Sequence, residues 1–147
     1  MTIGMHTDHI ELSTRGFTDI IDITPDVQAC LSASGFHEGS VLVFVSGATA
    51  GLTTVEFESG LERDLKDFFE RIIPQEGHYH HNERWHDGNG FSHVRASLLK
   101  PGLTVPFAEG RLLLGTWQQI VLVDFDNRPR NRRLVVQFTG IRDGDNY

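Results

Sequence analysis

Two short runs of β-branched and aliphatic residues, SVLVFV (40–45) and QIVLVDF (119–125), constrain this chain more than any other feature. Each is apolar on both alternating faces, the pattern of a strand covered above and below. Around them lie half-polar strand patterns: HIELST (9–14), FTDIIDIT (17–24), LTTVEFE (52–58), LTVPF (103–107) and RRLVVQFTGI (132–141). Helical periodicity is scarcer. Thr24 is placed as an N-cap with Pro25 in the first helical position, Val27 and Leu31 follow at helical spacing, and Gly35 is the stop. Ser59 and Glu62 have the spacing of a capping box, and Leu61, Leu65, Phe68, Phe69 and Ile72 form one stripe, expected to pack into the core before Pro74. Ser92 is placed to cap a shorter third helix with Val94 and Leu98 on one face. The strands and two principal helices interleave without regular βαβ spacing, so the expected fold is α+β with a mainly antiparallel sheet. The turns at Glu109-Gly110 and NRPRN (127–131) are expected to close hairpins.

At 147 residues the chain is expected to form a single domain, 1–147, with a core that needs no disulfide. Cys30 is alone, the apolar runs reach five residues at most against roughly 20 for a bilayer span, and no signal-like region opens the chain. The expected compartment is the cytoplasm. A net charge of -7 disfavours nucleic acid and anionic membrane as partners. Arg128, Arg130, Arg132 and Arg133 lack interleaved aromatics and read as a solvated hairpin.

The segment HYHHNERWHDGNGFSH (78–93) holds five of the eight histidines and lacks sustained periodicity, so it is expected to be a loop, of the length that in a compact domain is either functional or disordered. His81 and His93 are candidates for metal ligands, substrate hydrogen-bonders or structural bonds to carbonyls. Asp87 or Glu56 can complete a zinc-like set with one open position. His78, His80 and His86 read as solvated. Asp87-Gly88-Asn89-Gly90 is a turn whose glycines let N–H groups converge on an anion. Glu56, on the face shared with Leu52, needs a partner: a catalytic or ligating role, or a salt bridge with an arginine. In GTWQQ (115–119), Thr116 and Gln118 flank Trp117, which either stacks on a substrate ring or anchors the core.

The motifs SGATAGLTTVE, HDGNGFSHVRASLL and LTVPFAEGRLLLGTWQQIVLVDFD, followed by an arginine-flanked last strand, together resemble the YjbQ family over nearly the whole chain. The resemblance implies a small α+β protein with a β-sandwich core, assembled as a homotrimer. It also implies a thiamine-phosphate synthase-like transferase, joining a pyrimidine diphosphate to a thiazole phosphate with release of pyrophosphate. By position it carries over Glu56, His81, Asp87, His93, Thr116, Trp117 and Gln118. Gly47 stands where some relatives have histidine, and Lys100 where glycine is common.

On that reading Glu56, Asp87 and His93 are catalytic. His81, His93 and Glu56 hold a divalent ion, zinc or magnesium. Thr49, Gly88, Asn89, Ser92 and Arg95 meet a small phosphorylated substrate, with Thr116, Trp117 and Gln118 on its ring. The alternatives are a metal-dependent hydrolase on the same His/Glu/Asp group and a noncatalytic small-ligand-binding protein. The homotrimer has a physical motive as well: two doubly apolar strands with only two helices to cover them, and a site expected at or near a subunit boundary.

Overall fold

The computed structural model describes residues 2–142, arranged as two antiparallel sheets, with the first helix packed into the core between them and later helices on the outer face of the smaller one. In chain order the elements are β1 (Gly4–Thr14), β2 (Asp19–Asp22), α1 (Thr24–Ser34), β3 (Phe36–Val45), β4 (Ala50–Val55), α2 (Ser59–Ile72), α3 (His80–Trp85), α4 (Gly90–Leu99), β5 (Gly102–Ala108), β6 (Arg111–Leu112), β7 (Gln119–Asp124) and β8 (Arg130–Arg142). One sheet has the order β1-β8-β3-β5-β6 and the other β2-β7-β4. The expected α+β, mainly antiparallel sandwich is the observed fold.

The central strand β7 shows why both faces of QIVLVDF are apolar. Ile120 and Leu122 point to the core between the sheets, with Val41, Val43, Leu134, Val136 and Phe138. Val121, Val123 and Phe125 point the other way, onto Phe69, Ile73, Phe91 and Ala96 of the helical layer. Side chains alternate across a strand, so one strand serves two cores. Helix α1 adds Val27 and Leu31 to the first core, and Gly35 ends it in the left-handed conformation expected. Among the described residues no helix is long and apolar enough to cross a membrane.

Several local expectations differ. Thr24 is the first residue of α1 rather than its cap, because its hydroxyl accepts the Ile120 N–H and ties the helix to β7. Glu58, not Ser59, caps α2: its carboxylate accepts from the Gly60 and Leu61 N–H groups. That cap, with the Gln119 side chain taking the Phe57 N–H, ends β4 at Val55. The α2 stripe is only half covered, with Phe69 buried but Phe68 and Ile72 exposed. Glu109-Gly110 does close a hairpin between β5 and β6, both residues having the positive φ of a type I′ turn. NRPRN instead carries the chain from β7 in one sheet to β8 in the other, so it is a crossover between layers.

Candidate functional site

The histidine-rich segment is largely helical, not a loop. Helix α3 occupies His80–Trp85 and α4 begins at Gly90, two residues before the expected cap Ser92. Gly90 permits the two helices to meet: a Cβ there would lie 2.5 Å from the Tyr79 Cβ and 2.9 Å from Asn82 Oδ1. Asn82 Oδ1 accepts the Gly90 N–H, so that group is not open to an anion. The packed face of α4 is Phe91, Ser92, Arg95 and Ala96, while Val94 and Leu98 are exposed.

This packing sets His81 of α3 against His93 of α4, with ring centroids 4.3 Å apart and planes tilted by 37°. His81 Nδ1 is buried, has no hydrogen-bond partner, and lies 3.6 Å from Asp87 Oδ1. Burial and the neighbouring His81 lower the His93 pKa, against the opposing pull of Asp87 and Asp126. His93 is therefore held neutral.

Behind the pair lies a charged network that the sequence reading missed. Asp124 and Asp126 are fully buried. Asp124 accepts from Thr14 Oγ1 at 2.6 Å and from Arg132 Nε and Nη2 at 2.7 and 2.9 Å. Asp126 accepts from Thr49 Oγ1 at 3.1 Å, the Asn127 N–H at 2.8 Å and Arg130 Nε at 2.7 Å. Burial alone would raise the Asp126 pKa, but the Asn127 N–H and the Arg130 guanidinium outweigh it and hold the carboxyl below the usual range. Arg130 and Arg132 thus pair with buried acids rather than solvate a hairpin, whereas Arg133 stays exposed near Glu11. The Asn89 amide links network and histidines: with its nitrogen toward Asp87 it donates at 3.0 and 3.2 Å. The opposite orientation donates to Asp126 at 3.3 Å, so in either one the amide nitrogen serves one carboxylate and the amide oxygen faces the other. The signal for this network was the alternation Asp124, Asp126, Arg128, Arg130, Arg132, which places like-spaced charges on one face of an extended chain.

Two clefts flank the histidines. One of about 370 Å3 is lined by Asp87, Asn89, Asn127, Arg128 and Arg130. The other, about 320 Å3, is lined by His93, Gly47, Ala48, Ala50, Ser97 and Lys100, among others. Lys100 has φ +83°, a conformation glycine adopts freely.

The candidate residues therefore divide. His81, Asp87, Asn89, His93 and Thr49 gather at the Ala50 end of β4, with Gly88 in its turn at φ +71°. Ser92 and Arg95 face the protein, not a phosphate. Ser92 Oγ donates to the Phe125 carbonyl, while Arg95 is buried against Ile73 O, Thr18 Oγ1 and Glu70 and stacks on Phe91 at 5.0 Å. Glu56, Thr116, Trp117 and Gln118 lie at the opposite end. Val55 pairs with Gln119, whereas Ala50 pairs with Asp124. Six residues of extended chain put Glu56 roughly 20 Å from Ala50. Gln118 closes the exposed 115–118 turn on Gly115 and reaches Thr54, and Trp117 is 72% exposed, not a core anchor.

A zinc or magnesium ion on His81, His93 and Glu56 does not fit within one chain. Among the described residues, the His/Cys/Asp/Glu group whose ligand atoms all lie within 4.8 Å of one another is His78, His80 and Glu83.

The fold and site define a class: a two-sheet α+β sandwich with an Asp-supported histidine pair at one end of its smaller sheet. The sequence profile described as "UPF0047 protein YjbQ-like" matches residues 8–141, and the chain belongs to that family. A UPF0047 protein of Archaeoglobus fulgidus is 38% identical over 87% of this chain and 97% of its own length. UPF0047 protein YugU of Bacillus subtilis is 32% identical over 89% and 97%. A solved YbjQ-like protein of unknown function from Sulfolobus solfataricus superposes with a TM-score of 0.89 at 31% identity, covering 95% of this chain and all of its own. These findings overturn the thiamine-phosphate synthase expectation: the family match and the relatives are described only as UPF0047 proteins, with no thiamine-phosphate synthase among those descriptions, and that solved neighbour is described as of unknown function. The displacement of Ser92 and Arg95 from the assigned phosphate site points the same way.

Proposed function

We propose that the chain holds the phosphate of a small molecule in the Arg128–Arg130 cleft, which Asp87 also lines, and performs general acid–base chemistry with His81, Asp87 and His93 on the part of that molecule that extends to the histidine pair. The observation that carries this reading is the buried, unpartnered His81 Nδ1 facing Asp87 beside a neutral His93. A carboxylate near Nδ1 favours the tautomer with its proton there and leaves Nε2 as an acceptor. The 3.6 Å gap exceeds a hydrogen bond, as often holds before a ligand tightens a catalytic group. His93, neutral near pH 7, is the base, and the His81–Asp87 pair takes and returns the second proton. Arg130 has N–H donors beyond those spent on Asp126, and Arg128 is exposed at the cleft rim. Two guanidinium groups suit a phosphate through paired donors.

Binding is tested first with inorganic phosphate followed by phosphorus NMR. Arg128→Ala is expected to weaken it roughly ten- to hundredfold, the worth of a hydrogen bond to a charged group. Unchanged affinity contradicts the anchor.

The same reading carries a homotrimer. Among the described residues no helix lies over the outer face of the five-stranded sheet, where Met5, Leu42 and Phe44 are exposed, and Phe68, Ile72, Leu113 and Trp117 add further exposed apolar surface. Cyclic assembly buries such faces and gives the Glu56–Trp117 end of one subunit access to the histidine end of the next.

A further inference from the structure

We infer that His78, His80 and Glu83 form a surface site for a first-row transition dication, of which Zn2+ is the probe of choice. The sequence reads these histidines as solvated, yet they converge. His78 Nε2 lies 2.7 Å from Glu83 Oε1, His80 Nδ1 lies 3.4 Å from Oε2, and one ligand atom from each residue falls within 4.8 Å of the others. The two imidazole rings meet edge to face at 5.3 Å. Zinc bonds of about 2.0–2.1 Å in a tetrahedron set neighbouring ligand atoms roughly 3.3–3.4 Å apart. Small rotations of exposed side chains bring the trio to that spacing. Two imidazoles and one carboxylate form a zinc-type donor set that leaves a position for water, and nitrogen ligands favour zinc, nickel or copper over magnesium and calcium.

Isolated exposed His–Glu bonds contribute little. Both histidines face the same carboxylate, so the three donor groups already converge on one point before an ion enters. The position of the trio gives it a consequence. It spans the start of α3, where His80 is 92% exposed and its neighbour His81 only 28%, turned inward to His93. An ion held across residues 78, 80 and 83 would staple the turn that presents His81. The metal site itself does not depend on the acid–base reading of the inner pair.

The test is calorimetric titration of chelator-treated full-length protein with Zn2+, alongside the double variant His78→Ala/His80→Ala. Both side chains are exposed, so the variant is expected to fold as the parent does, checked by its Tm. The expected result is zinc binding by the parent, weakened in the variant by more than the roughly 10–100-fold that loss of a mere supporting partner costs. His93→Ala is expected to keep the site. Absence of zinc binding in the parent, equal binding in the double variant, or loss in His93→Ala alone would each overturn the site. Zinc should also slow amide exchange across His80–Trp85 in the parent and not in the double variant; binding without that slowing overturns the staple.

Discussion

His81 of α3 and His93 of α4 stack with centroids 4.3 Å apart although eleven residues separate them, because Gly90 lets the two helices touch. The contact makes each imidazole part of the other's surroundings, and the chemistry assigned to the site follows from that.

The His93 titration should show it. Burial and His81 lower its pKa, so NMR titration should place its midpoint below the roughly 6.5 of a free imidazole. As pH falls through that unperturbed value, the unfolded chain takes the proton before the folded one. The stability that a neutral His93 contributes is thus full above about 6.5 and is lost toward the folded midpoint. In His81→Ala the midpoint should rise. A midpoint at or above the free value contradicts the assignment.

Gly90→Ala should separate the pair. The added methyl meets Tyr79 and Asn82 at distances real Cβ atoms do not adopt, so α3 must shift or the helix start must open. Overpacking of this kind costs about 1–3 kcal/mol. Chemical denaturation should register the loss, and the His93 midpoint should move toward the free value in the same variant.

Arg132→Ala should cost about 3–5 kcal/mol, because it leaves the buried Asp124 charge without its guanidinium. Arg132→Ala with Asp124→Asn should recover part of that loss in a denaturant titration. Simple additivity of the two single variants would contradict the pairing.

Light scattering on dilute protein should give about three times the 16.5 kDa chain mass. Phe44→Asp, which puts a charge on the uncovered face of the five-stranded sheet, should dissociate the assembly. A parent of single-chain mass contradicts the trimer.

Strand periodicity was legible in QIVLVDF because burial on two faces leaves its mark on every residue from Ile120 to Phe125. SVLVFV, expected to be covered on both faces, is buried on one, with Leu42 and Phe44 exposed on the other. The ends of elements were less legible, since Thr24 and Glu58 are committed by partners distant in sequence or by a cap one residue away from the expected one. The site was legible in part. His81, Asp87 and His93 stand in one segment, and only a helical hairpin was needed to join them. Arg95 looked like a phosphate ligand because its type permits it, and its burial beside Thr18 is a tertiary fact. Asp124 and Asp126 were hidden for the opposite reason: at the end of an apolar strand they read as the strand's polar edge, whereas β8 brings Arg130 and Arg132 back across them. The outer histidines were dismissed one at a time, and their meeting with Glu83 depends on the α3 turn.

Turnover tests the acid–base assignment most directly. Purified protein should be assayed against a panel of small phosphorylated metabolites, with Asp87→Asn and His93→Ala beside it and the Tm of each recorded. The account predicts a substrate whose turnover falls by at least about a hundredfold in both variants, the contribution of a positioned acid or base, while each remains folded. Folded variants that turn over at the parent's rate, or a parent that turns over none of the panel, would contradict it.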